Sequence, residues 1–206
     1  MKSKGMVNSN YIWRVFFTFL IVIGHSGYVN ISKASYYIGV DYFFIFSGLM
    51  IAYGIDYKQK TFSTFEFTLG RIAKLYPHLL LSFSIYFIYM SIGKGIHEII
   101  VGLISYLYQV IPMMYYIMPS NPTFGYLNFS VWYISVLLIA GIFVHYMYLN
   151  HKQAFVNCIA ALIVLEGYYY LTHNCNCFNT GDPIGPFLNN AYVRGVTDMC
   201  GGGDFI

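Results

Sequence analysis

Charged side chains are scarce in this sequence. Only 9% of its 206 residues are Asp, Glu, Lys or Arg, whereas 58% are hydrophobic and 20% are aromatic. A soluble domain usually has about 25% charged residues, and this chain has too few to cover a water-facing surface. The scarcity therefore excludes an ordinary soluble fold and predicts an integral membrane protein in a lipid bilayer. The net charge of +3 is too small to indicate binding to nucleic acid.

Cysteine is also rare. Four cysteines are too few for a disulfide scaffold. Cys175 and Cys177 are separated by one residue, which is not a usual zinc spacing, so we expect no metal cofactor. The N-terminal lysines and the apolar run after them look like a signal peptide, but His25-Ser26-Gly27 is a poor cleavage site. We therefore expect this segment to be retained as the first helix.

Long apolar runs dominate the rest of the chain. Six segments are long enough to cross a bilayer as helices, and they cover residues 11–29, 36–55, 75–92, 96–118, 128–149 and 154–172. The fourth is the weakest because it contains Gln109 and Pro112. Arg194 opens a further helix that ends too early to span, in the glycine-rich segment CGGGDFI. We predict an all-α transmembrane bundle of about six spans plus the start of a seventh, forming a single domain over residues 1–206.

The positions of Lys and Arg orient these spans, because cytoplasmic loops are enriched in both. With the N-terminus in the cytoplasm, only three lie outside: Lys33, Lys94 and Lys152. The cytoplasmic segments then contain Lys2, Lys4, Arg14, Lys58, Lys60, Arg71, Lys74 and Arg194. The pattern predicts a multi-pass protein of the cytoplasmic (inner) cell membrane. Assignments after the third span depend on whether residues 96–118 cross.

The first span contains two ionisable residues, Arg14 and His25. Eleven residues is about three helical turns, so both lie on one helix face, about 16 Å apart along the axis. With Arg14 at the membrane surface, His25 lies near the midplane, where ionisable groups usually face a polar interior. His25 is the candidate catalytic residue, with Arg14 as its partner. The alternatives are a histidine that only packs between helices and an arginine that extends to lipid head groups.

Two further spans contain polar or aromatic candidates near their ends. Asp41 lies near the outer end of the second span and is either a site residue or an interfacial cap. Ser47 and Gly48 form a small pair that lets helices approach closely. Trp132 and Tyr133 open the fifth span as candidate binding residues, or as part of an aromatic belt.

Two cations precede the third predicted span. Arg71 and Lys74 are three residues apart and share a helical face. Together they would clamp an anionic phosphate, or they would simply anchor the span by the positive-inside rule. Glu166 is a weaker intramembrane candidate. We expect the remaining histidines near span ends to lie at the surface, namely His97, His145, His151 and His173.

Taken in order, four stretches resemble the acyltransferase-3 family of integral-membrane O-acyltransferases. They are the pair Arg14 and His25, and the sequences VDYFFIFSG, RIAKLYP and VWYISVLL. The family has more spans than this chain, so the resemblance predicts a C-terminally truncated member. Lys74 replaces the second arginine of the family's Arg-x-x-Arg pattern, and Leu137 stands where many members have a glutamate. The second departure favours the branch that acts on surface polysaccharides.

The resemblance implies the transfer of an acyl group, in the simplest case acetyl, from acyl-CoA to a sugar hydroxyl of a cell-surface glycan or its lipid-linked precursor. His25 would be the general base, and Arg14, Arg71 and Lys74 would hold the donor phosphates. The remaining candidate site residues are Asp41, Ser47, Trp132 and Tyr133.

Two alternatives stay open. One is a transporter or channel fragment in which His25, Asp41 and Glu166 line a path. The other is a truncated membrane protein without activity. The sequence leaves the oligomeric state undetermined, and a homo-oligomer is compatible with it.

Overall fold

The computed structural model describes residues 4–26, 33–57, 62–110, 131–174 and 190–203, and all regular structure in these ranges is helical. The helices are α1 (Lys4–Ser26), α2 (Lys33–Asp56), α3 (Thr64–Ser91), α4 (Ile96–Gln109), α5 (Val131–Asn150), α6 (Lys152–Ala154), α7 (Ala160–Asn174) and α8 (Asn190–Gly203). A π-helical turn, Phe155–Ile159, joins α6 to α7. The prediction of an all-α fold is confirmed.

Four of the described helical segments are long and apolar enough to cross a membrane. They are Tyr37–Asp56, Thr64–Ser91, Trp132–Asn150 and Lys152–His173. A shorter apolar stretch, Tyr11–Ser26, lies in α1. These segments match the multi-pass bundle expected from the sequence. Residues 111–118 of the predicted fourth span fall outside the described residues.

The start of α3 differs from the sequence-based prediction, which began the third span at residue 75, after a stretch with charged residues. The helix begins at Thr64, because Ser63 and Glu66 form a capping box. The Ser63 hydroxyl accepts a hydrogen bond from the Glu66 N–H at 3.2 Å, and the Glu66 carboxylate accepts one from the Ser63 N–H at 2.9 Å. Arg71 and Lys74 therefore lie in the second and third turns of the same helix that forms the predicted third span.

The most enclosed helix is α8, which packs against α2, α5 and α7. Its glycines allow this position. A Cβ added at Gly202 would overlap the Ile45 carbonyl of α2, and a Cβ added at Gly48 would overlap the Met199 carbonyl of α8. The sequence pattern made CGGG look unlike a helix, but these glycines let the two backbones touch. The close approach predicted at Ser47-Gly48 is confirmed.

Cross-helix contacts fix the relative directions of the helices. The Phe44 ring lies 4.7 Å from the Tyr133 ring, and the Tyr148 hydroxyl donates to Asp56 at 2.7 Å, so α2 and α5 run parallel. By contrast α3 runs antiparallel to α5, because Thr64 lies against His145 whereas Arg71 reaches Gly141. Consequently α3 ends and α5 begins at the same end of the bundle.

This arrangement corrects two charge assignments. We call the end of the bundle that contains Asp56 and Lys152 the inner end, and the end at which α2 and α8 begin the outer end. The Lys152 ammonium binds the Asp56 carboxylate at 2.7 Å, so Lys152 lies at the same end of the bundle as Asp56. The sequence analysis placed Lys152 on the outside, the side opposite to the one it gave to the residues that follow Asp56. Arg194 lies in the first half of α8, towards the outer end, and is buried.

Candidate functional site

Arg71 extends from α3 into the bundle. Its guanidinium lies 4.6 Å above the Phe67 ring and beside Gly141 of α5, where an added Cβ would be only 2.9 Å from Nη1. This Nη1 atom is buried and has no hydrogen-bond partner among the described residues. Lys74 is exposed instead. The structure therefore does not bring the two predicted cations together, and Arg71 alone faces the interior.

Arg14 of α1 is a second cation near this region. The Tyr133 hydroxyl interacts with the Ser47 hydroxyl by a hydrogen bond and lies within electrostatic range of both Arg71 and Arg14. The Arg14 guanidinium lies 5.7 Å from the centre of the Phe46 ring. We call Arg14, Ser47, Arg71 and Tyr133 the arginine cluster. Two cations and two hydroxyls, contributed by four helices, form a region suited to an anionic or carbonyl-bearing ligand.

Trp132 packs in the bundle interior next to Tyr133 of the arginine cluster. Its side chain is buried, and its ring lies 6.4 Å from Phe44 and 6.2 Å from Tyr133. A residue of an aromatic belt would present its ring to the lipid head groups rather than to the interior of the bundle. Trp132 therefore packs in the core and helps to fix the position of Tyr133.

Asp41 is engaged by a residue far along the chain. Arg194 donates two hydrogen bonds to its carboxylate, from Nε at 2.5 Å and from Nη2 at 2.7 Å, and the Arg194 guanidinium lies 5.0 Å over the Tyr37 ring. This bidentate pair joins α2 to α8. Asp41 is therefore first of all a structural partner of Arg194.

A second carboxyl group lies next to this ion pair, and the sequence analysis missed it. Asp198 is buried, and its Oδ1 accepts a hydrogen bond from the Tyr168 hydroxyl at 2.6 Å. Its Oδ2 is buried and accepts no hydrogen bond from an N–H or O–H group in the described part of the chain, but the Asp198 carboxyl lies within hydrogen-bond distance of the Asp41 carboxyl. The signal was present in the sequence, because Arg194, Thr197 and Asp198 have the i, i+3, i+4 spacing of one helix face.

His25 is exposed in the last turn of α1. The antiparallel packing of α1 on α2 is set by three contacts: Arg14 with Phe46, Phe17 with Tyr42, and Ile21 with Gly39. This register places Arg14 level with the middle of α2 and His25 level with its first turn, near the outer end. The expected depths of Arg14 and His25 are thus reversed. His25 lies about 16 Å from Arg14 along the helix axis, away from the arginine cluster.

His145 is buried, so the prediction that it lies at the surface is wrong. Its Nδ1 lies 3.2 Å from the Thr64 hydroxyl, and its ring stacks on Phe67 at 4.1 Å. The first turn of α3, which the sequence analysis placed in a loop, covers it. Phe67 therefore lies between two basic side chains, His145 on one side and Arg71 on the other.

Metal-binding geometry is absent from the part of the chain that the structure describes: no three His, Cys, Asp or Glu side chains are grouped around a common point. Cys175 and Cys177, the pair considered in the sequence, lie outside the described residues.

One comparison with known proteins gives a match. A family model described as an acyltransferase domain, that of acyltransferase-3, matches residues 12–192. No curated protein and no solved structure shows significant similarity to the chain. The matched range begins before Arg14 and ends within α8, so it includes the whole arginine cluster. Because the match covers most of the sequence, the chain belongs to the acyltransferase-3 family of membrane acyltransferases.

Proposed function

We propose that this protein transfers an acyl group, in the simplest case acetyl, from acyl-CoA to a sugar hydroxyl of a cell-surface glycan or its lipid-linked precursor. Family membership supplies the reaction class. The arginine cluster supports the proposal for the donor, because the buried Nη1 of Arg71 has no hydrogen-bond acceptor among the residues that the structure describes. The phosphates of acyl-CoA would supply that acceptor, and Arg14 would add a second positive charge.

The orientation of the bundle belongs to the same proposal. The inner end contains Lys152, and α2 ends and α3 begins there. The sequence between these two helices contains Lys58 and Lys60. By the positive-inside rule, this end faces the cytoplasm of the cell membrane and α1 begins there. Acyl-CoA would then enter from the inner end, and the acceptor would approach from the outer end.

His25 is the proposed general base. It would remove the proton from the acceptor hydroxyl while the oxygen attacks the thioester carbonyl. As the carbon–sulfur bond breaks, the CoA thiolate would take the proton from the imidazolium, so the sugar gains the acyl group and CoA leaves as the thiol. The position of His25 near the outer end suits an acceptor from outside. The long pantetheine arm separates the thioester from the phosphates, so His25 and the arginine cluster need not be adjacent.

The remaining candidate residues receive unequal support. Ser47 and Tyr133 lie in the arginine cluster and are proposed to contact the donor. Asp41 is proposed to act through Arg194, which it holds by two hydrogen bonds. Lys74 is exposed and away from the cluster, which makes it a useful matched comparison for Arg71.

Transport along a path lined by His25, Asp41 and Glu166 has no support from the geometry. Asp41 is paired with Arg194, whereas His25 and Glu166 are exposed on α1 and α7. These three residues do not share a common interior surface among the described helices.

The test is acyl transfer by membranes containing the full chain, with labelled acetyl-CoA as the donor. We expect His25→Ala to reduce label transfer to surface glycan to background, while binding of acetyl-CoA to the purified protein stays unchanged. His151→Ala is the matched control, because His151 is an exposed histidine at the inner end. Transfer that survives His25→Ala would refute the proposed base. A wild-type chain that binds no acetyl-CoA would instead indicate a membrane protein without this activity.

A further inference from the structure

An aromatic stack borders the arginine cluster where α3 packs against α5. The Phe67 ring lies 4.1 Å from the His145 ring, and the two ring planes differ by 17°. The Arg71 guanidinium lies 4.6 Å over the same Phe67 ring. Neither Phe67 nor His145 belongs to the arginine cluster, and the proposed mechanism gives them no role. Both residues are therefore candidates for acting through Arg71.

The antiparallel register of α3 and α5 produces this stack. Phe67 and Arg71 are four residues apart on α3, so they lie on one face of that helix. Gly141 and His145 have the same spacing on α5. Phe67 meets His145, and Arg71 meets Gly141. A Cβ at residue 141 would lie only 2.9 Å from Nη1 of Arg71, so the glycine leaves the space that the guanidinium occupies.

His145 is itself held in place. Its side chain is buried, and its Nδ1 lies within hydrogen-bond distance of the Thr64 hydroxyl, at 3.2 Å. Thr64 is the first residue of α3, and the capping box of Ser63 and Glu66 fixes the start of that helix. The ring of His145 is therefore ordered by contacts with α3 that need no ligand. Phe67, stacked on this ring, offers Arg71 a fixed surface.

Contact with an aromatic ring leaves the hydrogen-bonding capacity of Arg71 available. A ring attracts a guanidinium through its π-electrons, whereas a carboxylate would occupy two N–H groups and compensate the charge. Arg194 shows the second arrangement, because Asp41 accepts two of its hydrogen bonds. No Asp or Glu among the described residues forms an ion pair with Arg71, and its Nη1 has no acceptor there. Arg71 is thus held by an uncharged neighbour, as suits a residue that binds an anion.

We propose that Phe67 is a positioning residue for the acyl donor: it orders the Arg71 guanidinium, and His145 in turn orders Phe67. This inference rests on the proposed binding of donor phosphates by Arg71. A flexible side chain that becomes ordered only on binding lowers affinity, because it loses rotamer freedom at that step. Phe67 orders Arg71 beforehand, so the phosphates meet a guanidinium that is already in place.

The test is a double-mutant cycle on the binding of acetyl-CoA to the full chain in detergent, measured by isothermal titration calorimetry. Phe67→Leu removes the ring and should raise the dissociation constant about fivefold, the effect of one long side chain that must be ordered on binding. In an Arg71→Met background the same substitution should change the constant by less than about twofold, because Phe67 acts through Arg71. A purely structural effect would lower affinity in both backgrounds.

Two further variants separate the aromatic ring from general packing. Phe67→Tyr keeps the ring and should bind acetyl-CoA within about twofold of the wild type. Phe65→Leu is the matched control, because Phe65 is 71% exposed on the same helix, and it should bind as the wild type does. Thermal unfolding verifies that each variant is folded. Phe67→Met, with a longer and more adaptable side chain, replaces Phe67→Leu in the cycle if the leucine variant does not fold.

Three results would overturn this inference: wild-type affinity in Phe67→Leu, an equal loss of affinity in both backgrounds, or binding by Phe67→Tyr as weak as that by Phe67→Leu. In each case the donor proposal stands as long as Arg71→Met weakens binding. Unchanged binding of acetyl-CoA by Arg71→Met would refute the donor proposal, and this inference with it.

Discussion

Replacing Arg71 with methionine should stabilise the protein and at the same time weaken donor binding. The Nη1 atom of Arg71 is buried without a hydrogen-bond acceptor in the described ranges of the chain, and such a group costs about 1–3 kcal/mol of stability. Methionine keeps an unbranched chain beside Phe67 and Gly141 but removes the charge. We therefore expect the free energy of unfolding of the ligand-free variant to rise by about 1 kcal/mol.

Donor binding should change in the opposite direction. A hydrogen bond to a charged group contributes about 1.5–3 kcal/mol, so the dissociation constant for acetyl-CoA should increase by about tenfold or more. Thermal unfolding of detergent-solubilised protein, with and without acetyl-CoA, measures both effects. At a concentration one hundred times its dissociation constant, a ligand stabilises the folded state by about 2.7 kcal/mol. The Arg71→Met variant should lose most of that increment at the same concentration.

Lys74→Met is the matched control, because it removes one positive charge three residues away from an exposed position. Surface substitutions usually change stability by less than about 0.5 kcal/mol, and we expect the control to bind acetyl-CoA as the wild type does. The reasoning is refuted if Arg71→Met destabilises the ligand-free protein and leaves acetyl-CoA binding intact. That result would make Arg71 a structural residue with a partner inside the bundle.

Two other predictions concern stability. Asp41→Asn leaves the buried Arg194 without a full counter-charge, and loss of one partner of a buried ion pair costs about 3–5 kcal/mol. Chemical unfolding should show this loss of stability. Unchanged stability would contradict the structural role given to the Asp41–Arg194 pair. Gly202→Ala should also destabilise, because its Cβ would overlap the Ile45 carbonyl. Gly201→Ala is the comparison, since its Cβ would lie 3.7 Å from the nearest atom, Cγ2 of Val164, which is an ordinary van der Waals distance. Equal unfolding temperatures for the two variants would argue against close contact of α2 and α8.

Local signals in the sequence predicted most helices but not all boundaries. Apolar segments long enough to cross a bilayer located α2, α5 and the segment from α6 to α7 within a few residues. The start of α3 was placed eleven residues too late because charged residues were interpreted as a loop. The Ser63–Glu66 capping box, a local signal, would have corrected it. The sequence predicted a helix at Arg194 but not its central position in the bundle, because a glycine-rich segment has low helix propensity and its stability comes from packing.

The donor site stays a prediction, but the structure places its residues relative to one another. Sequence reasoning selected Arg14, Ser47, Arg71 and Tyr133, and the Tyr133 hydroxyl interacts with Ser47 and lies within electrostatic range of both arginines. It paired Arg71 with Lys74 because they share a helix face, but a spacing of three residues does not determine which side chain turns inward. His145 was missed because its burial depends on which helices cover it, and that information is not local. Asp198 shares a helix face with Arg194, a local signal that the sequence analysis did not use.

The sequence by itself determined that the chain is a membrane-embedded helical protein, because so few charges cannot sustain a water-facing surface. Its motifs also indicated the family. Only the tertiary structure decided that α5 runs parallel to α2, that α8 fills the centre, and that Arg194 neutralises Asp41 across 153 positions of sequence. Side chains so far apart in the chain are joined only by helix packing, and the small size of Gly48 and Gly202 lets the two helices pack closely enough to join them.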